Sequence, residues 1–313
     1  MYDSADSADS ADSADATDSA DSAHIRWGNE PPTLRAPVLL AAFEGWNDAG
    51  HAATMAARHF VSRWNAIETA NIDAEHFYDF ISTRPHVAFD QFQTRTLTWP
   101  TNAFLTCSVS ESENEQDLVI LLGVEPNLKW RTFCNQIIET AKRLNVSHVV
   151  TLGSLLSDIP HNRPVEVYGS STNEETAARL SLKPSDYEGP TGIVGVLSTQ
   201  SRESGLPTTS LWSTVPNYVA ATPSPKAGLA LVQKVSALFG VSVFATDLEL
   251  AAANYEDEVA EYVASDEDTA SYVASLQESW DNRSSIEHAN FLEMNTDPDA
   301  LLAEVEDFLR GND

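Results

Sequence analysis

Pro37 to Val61 reads PVLLAAFEGWNDAGHAATMAARHFV. The unbroken apolar run Val38 to Phe43 is short enough for a strand buried on both faces. The alanine-rich run Ala49 to Val61 reads as a helix. Between them, Glu44, Gly45, Trp46, Asn47 and Asp48 form a turn at the carboxyl end of the strand, where open α/β sheets bind ligands. Gly45 and Gly50 have the spacing of a phosphate-cradling loop, but His51 and Ala52 follow instead of Lys and Ser or Thr. That loop would lack both its cation and its magnesium-holding hydroxyl. Two readings of the turn coexist. Asn47 or Asp48 caps the helix while the glycines permit the bend, and Glu44, Asn47 and Trp46 face a pocket.

The chain has 313 residues, 42% of them hydrophobic, enough for one large domain or a core with a smaller unit. Its net charge of −29 is concentrated at the two ends. Residues 1–24 are an acidic Asp-Ser-Ala repeat, expected to be disordered because it has nothing to bury. Residues 25–246 read as an α/β core and 247–313 as acidic helices forming a lid. Such a surface disfavours nucleic acid and anionic membranes as partners. No apolar run approaches the roughly 18 residues of a membrane-spanning helix, and no signal peptide is apparent, so a cytoplasmic location is expected. Cys107 and Cys134 lie in apolar patterns and are expected to be buried thiols.

Further along, His76 to Ile81 reads as a strand, and Gln93 to Trp99 as part of a β-hairpin bounded by proline breaks. Its Phe89, Phe92, Leu97 and Trp99 would either pack locally or form an oligomer interface. Leu118 to Leu122 is a second buried strand, Lys129 to Leu144 an amphipathic helix and Val146 to Leu152 a third strand, giving a partly parallel sheet. Asn173 to Leu180 reads as a short helix, Ile193 to Leu197 and Thr209 to Val215 as strands, and Lys226 to Phe239 as an amphipathic helix. Acidic helices follow from Asp247, and Asp297-Pro298 begins a last one.

Glu44, Glu125 and Ser154 thus stand at successive strand ends, with Asp158 close behind. Carboxylates there serve as general acids or bases when burial raises their pKa, or they are simply solvated. No nucleophile elbow, zinc-binding helix, CxxC pair or dinucleotide fingerprint occurs. His51 and His59 are too far apart to share a metal and read as ordinary surface or packing residues. No cofactor is named by these residues, and no metal site is expected.

Phe43-Glu44-Gly45-Trp46-Asn47-Asp48-Ala49-Gly50 resembles the signature of the proteasome assembly chaperone family, in its bacterial branch. Tyr78-Asp79-Phe80 with Arg84-Pro85, Gly189-Pro190-Thr191-Gly192-Ile193, and the stretches from Ser210 through Tyr218 to Lys226 extend the resemblance from about Pro37 to Trp280. It implies a three-layer α/β/α core of the nucleoside phosphorylase and peptidyl-tRNA hydrolase type. It also implies a β-hairpin insertion used in oligomers, commonly trimers, and a C-terminal helical lid over a ligand site. Gly192 and Tyr218, which stand in these motifs, join Glu44, Trp46, Asn47, Asp48, Glu125, Ser154 and Asp158 as candidate ligand-binding residues. Some relatives dock on proteasomes through a hydrophobic-Tyr-X tail, whereas this sequence ends Phe308-Leu309-Arg310-Gly311-Asn312-Asp313. The expected function is a protein-interaction or assembly factor acting as a homo-oligomer, with proteasome subunits among its partners. The alternative is a small-ligand binder or enzyme (hydrolase- or phosphorylase-like, or an ATP-dependent ligase as some relatives are labelled) that uses the crevice.

Overall fold

The run beginning at Val38 becomes a central strand of an eight-stranded sheet. In the computed structural model, residues 24–109, 116–185, 187–241 and 244–295 are described. The Asp-Ser-Ala repeat and the helix expected from Asp297 lie outside them. In chain order the strands are β1 (Ile25–Trp27), β2 (Val38–Glu44), β3 (Ile67–Ile72), β4 (His86–Phe89), β5 (Arg95–Thr98), β6 (Asn102–Ser108), β7 (Asp117–Val124), β8 (His148–Ser157), β9 (Val167–Ser171) and β10 (Thr208–Pro216). The α-helices are α1 (Ala52–Arg63), α2 (Trp130–Arg143), α3 (Glu174–Arg179), α4 (Ile193–Glu203), α5 (Pro225–Phe239), α6 (Thr246–Ala264) and α7 (Glu267–Asn295).

The sheet order is β1-β3-β6-β7-β2-β8-β10-β9. Strands β7, β2, β8 and β10 run parallel, and antiparallel strands flank them on both sides. The strict alternation of side chains along a strand divides β2 between two cores. Val38, Leu40 and Ala42 pack with Ala53, Ala56 and Phe60 of α1 and with Leu231, Val235 and Phe239 of α5. Leu39, Ala41 and Phe43 pack with Phe133, Ile137 and Ala141 of α2 and with Ile193, Val194 and Leu197 of α4. The three-layer α/β/α core is therefore present, with β2 sealed on both faces.

Two expected strands are not strands. Ile193 to Leu197 begins the eleven-residue helix α4. Its buried residues Ile193, Val194, Leu197 and Ser201 recur near helical spacing, a pattern hidden by the β-branched start and Gly195. His76 to Ile81 is a sequence of tight turns instead. Asp73 caps a 3₁₀ turn at Ala74–His76, and Asp79 accepts a hydrogen bond from the Ile81 amide at 2.9 Å. Phe77 and Tyr78 bury their rings in the α2/α4-side core. Strand β8 runs on to Ser157, so Ser154 lies inside a strand, not after one. The hairpin is present as β4 and β5, closed by Asp90, whose Oδ1 accepts from the amides of Phe92 and Thr94, both at 2.8 Å. Cys107 and Cys134 are buried free thiols.

Candidate functional site

The connection after β2 leaves toward the α1/α5 face, whereas the chain after β8 reaches β10 by way of α4 on the opposite face. A crevice must open where the two diverge, at the carboxyl ends of β2 and β8. The turn after β2 is built around that divergence. The Ser154 amide donates to the Asn47 carbonyl at 2.8 Å, which adds a rung between the turn and β8. The Ser154 hydroxyl donates to the Ala49 carbonyl at 2.8 Å. Gly45 takes φ +125, a conformation open to glycine, and a side chain there would also crowd Glu125. Gly50 and His51 are both left-handed, at φ 58 and 52, and turn the chain sharply into α1.

Asp48 caps α1. Its Oδ1 accepts from the amides of Ala53 at 2.8 Å and Thr54 at 3.2 Å, and its Oδ2 from the Thr54 hydroxyl at 2.5 Å. Burial pushes this carboxyl above the ordinary carboxylate range, and the three donors offset the effect only in part. The His51 Nδ1 lies 3.8 Å from Asp48 Oδ2. Glu125 plays the same part at α4. Its Oε1 accepts from the Ile193 amide, the first of that helix, at 2.8 Å and from Asn47 Nδ2 at 2.7 Å. Its Oε2 accepts from the Trp46 amide at 3.3 Å. Both carboxylates therefore take up backbone N–H groups that have no partner within their own helix, at its positive end. Asn47 is fully buried between Glu125 and Gly192, where a Cβ on Gly192 would stand 2.2 Å from its Oδ1.

The crevice itself is a cavity of about 850 Å³. Trp46, Leu155, Leu156, Tyr187, Pro190 and Trp212 supply its large walls, and Gly45, Ala49, Gly50, Gly195, Ala220 and Ala221 its small ones. Its polar lining comes from Asp48, His51, Ser154, Ser185, Thr191 and Thr222. A second hollow of about 580 Å³ is lined by Leu156, Ser157, Asp158, Asn217, Leu276, Ser279 and Arg283. There Asp158 accepts from Asn217 Nδ2 at 2.5 Å and from the Tyr272 hydroxyl at 3.0 Å.

The nine candidate residues thus divide among several places. Trp46, Asp48 and Ser154 meet at the large cavity. Asn47, Glu125 and Gly192 form the structure beside it. Glu44 turns to Arg58, at 2.5 Å, and Asp158 belongs to the second hollow. Tyr218 lines neither hollow, and its hydroxyl accepts from the His161 amide at 2.7 Å. Burial pushes that hydroxyl up to about 12. The strand-end carboxylates do not converge on one point. Among the described residues, no group of three or more His, Cys, Asp or Glu is placed to hold a metal. Helix α7 contributes to the second hollow, whereas neither α6 nor α7 lines the large one. Sequence reading missed His51, Tyr187 and Trp212 as lining residues. Trp212 stands on β10 beside Gly153, whose missing side chain makes room for its ring, and only the paired register reveals that proximity.

Residues 42–263 match the PAC2 family. The chain belongs to that family. A PAC2 family protein of Streptomyces avermitilis is 42% identical, with 76% of this chain and 99% of that one covered and a TM-score of 0.70. A proteasome-assembly chaperone homologue of Mycobacterium tuberculosis is also 42% identical, covering 75% of this chain and 99% of its own at a TM-score of 0.69. An archaeal proteasome activator of Pyrococcus furiosus, 16% identical, covers 76% of this chain and 97% of its own and shares the fold at a TM-score of 0.62. No curated protein matches. Membership agrees with the resemblance carried by the Phe43–Gly50 motif, which in this PAC2 chain is the turn that builds the cavity rim. No helix among the described residues is long and apolar enough to cross a membrane.

Proposed function

We propose that this PAC2 protein is an assembly factor of the proteasome-assembly-chaperone type, acting in the cytoplasm as a homo-oligomer through protein–protein contacts. The observation that carries the reading is the 42% identity, over nearly the full length of the partner chain, to a protein described as a proteasome-assembly chaperone homologue. The hairpin supports it. Phe89, Phe92, Leu97 and Trp99 are all exposed large hydrophobics, with Trp99 resting only part of its ring on Phe80 at a centroid distance of 4.7 Å. Exposed apolar side chains grouped on a two-stranded ribbon suit an interface better than solvent. The proposed assembly is a trimer built on that hairpin, with proteasome subunits as the client.

The direct test mixes the purified full chain with unassembled proteasome α-type subunits from the same organism and follows complexes by native mass spectrometry. A defined complex and faster ring formation are expected. Ring formation at an unchanged rate, with no complex at micromolar concentrations, would overturn the assembly role. Separately, Leu97→Glu or Trp99→Glu is expected to lower the oligomeric mass in light scattering, and an unchanged mass refutes the hairpin interface.

A further inference from the structure

The large cavity lies where α/β folds commonly hold phosphates, at the carboxyl ends of parallel strands and beside helix N-termini. In this chain each neighbouring helix start already holds a carboxylate of the chain itself. The Asp48 carboxylate takes the free amides of Ala53 and Thr54 at the start of α1, and the Glu125 carboxylate takes the Ile193 amide at the start of α4. An incoming anion would find those donors used and two carboxylates beside it. No lysine or arginine lines the cavity among the described residues. Without a lysine or arginine, the desolvation of a phosphate or carboxylate goes largely uncompensated.

What the cavity offers is aromatic surface. Trp46 and Tyr187, each 64% exposed, stand on opposite connections, after β2 and before α4, and Trp212 forms part of the wall from β10. Rings left that open cost solvation unless something covers them. The hydroxyls of Ser154, Ser185, Thr191 and Thr222 and the His51 ring are the polar groups other than Asp48 that line the cavity. A volume of about 850 Å³ accommodates a drug-sized molecule.

We propose that this cavity binds an uncharged, ring-bearing small molecule, held by the aromatic walls and oriented by one or two hydrogen bonds to the hydroxyls, and that it rejects anionic analogues. The site is independent of the assembly role and stands or falls alone.

The test uses the full chain and N-phenyl-1-naphthylamine, an uncharged fluorescent aromatic probe. Saturable fluorescence enhancement is expected. Trp46→Ala removes a wall, and Ala221→Trp fills the cavity from an exposed position. Each is expected to weaken probe binding at least about tenfold, a loss of about 1.4 kcal/mol, with the melting temperature unchanged. Competition with a matched pair, tryptophol and indole-3-acetate, tests the charge argument, and the neutral alcohol is expected to displace the probe at least tenfold more effectively. Any of three results overturns the proposal: no saturable binding to the wild-type chain, undiminished binding by both variants, or equal displacement by the anion.

Discussion

Replacing Asp48 with alanine and with asparagine separates its role as a cap from its role as a charge. Alanine removes a helix cap, which costs about 1 kcal/mol. It also takes the 2.5 Å acceptor from the buried Thr54 hydroxyl and leaves it only the His51 carbonyl at 3.4 Å, and a buried group left so costs about 1–3 kcal/mol. Thr54 is fully buried and Asp48 nearly so, leaving little room for water to take over. A total of about 2–4 kcal/mol follows, or a drop of about 4–8 °C at roughly 2 °C per kcal/mol for a large chain. Asparagine keeps an oxygen toward the Ala53 and Thr54 amides and requires only that the Thr54 hydroxyl turn to accept, so its loss at neutral pH should be well under half of alanine's. The pH dependence has a definite sign. Burial raises the Asp48 carboxyl above its unfolded value, so the native state holds the proton longer. The favourable difference of wild type over Asp48→Asn is largest near pH 4, about the unfolded value, and shrinks as pH rises. Thermal melts and urea titrations of the three proteins between pH 4 and 8 read this directly. Should asparagine melt as low as alanine throughout, with no pH trend against wild type, a capping carboxylate destabilised by burial would be the wrong account.

Gly192→Ala drives a methyl group into the Asn47 amide and is expected to destabilise by about 1–3 kcal/mol in chemical unfolding. Adding Asn47→Ala should fail to restore stability, because Glu125 then loses a partner, and full rescue would contradict that geometry. Burial pushes the Cys107 and Cys134 thiols up to about 12, so neither should react with a thiol reagent at pH 8 until denaturant is added. Rapid labelling of the native protein would refute their burial. Arg163 grips Asp281 of α7 through two hydrogen bonds of 2.9 and 2.8 Å. Arg163→Ala should accelerate amide exchange in α7 without moving the main melting transition, and unchanged exchange would show that the pair holds nothing in place.

The central strand was legible because six consecutive apolar residues leave few alternatives to burial on both faces. The hairpin was legible from its aromatic and threonine alternation. Ile193 to Leu197 was misread because five residues starting Ile-Val fit either period, and only the continuation to Ser201 favours a helix. Strands β1, β3, β6 and β9 passed unread. Residues such as Glu68, Asn71, Tyr168 and Ser170 make β3 and β9 look like loops, and both lie beside or at a sheet edge. At the site, the turn motif pointed to the correct crevice, but the functions of its acids were not legible. Whether Glu125 faces a ligand or an amide 68 residues further along depends on tertiary placement. The aromatic lining from Tyr187 and Trp212 was invisible for the same reason.

Helix α6 divides its loyalties. Leu248, near its start, belongs to the same buried cluster as β2 and α5, whereas Tyr255, Val259 and Val263 join a small separate cluster with Val219 and Val273. Removing α7 would therefore open only the small cluster and leave the main core closed. A truncation at Thr246 would take Leu248 out of the main buried cluster. The first turn of α6 is thus tied to the main core and its later turns to the small cluster, so a chain ending at Thr246 loses a core residue that a chain ending at Ser265 keeps.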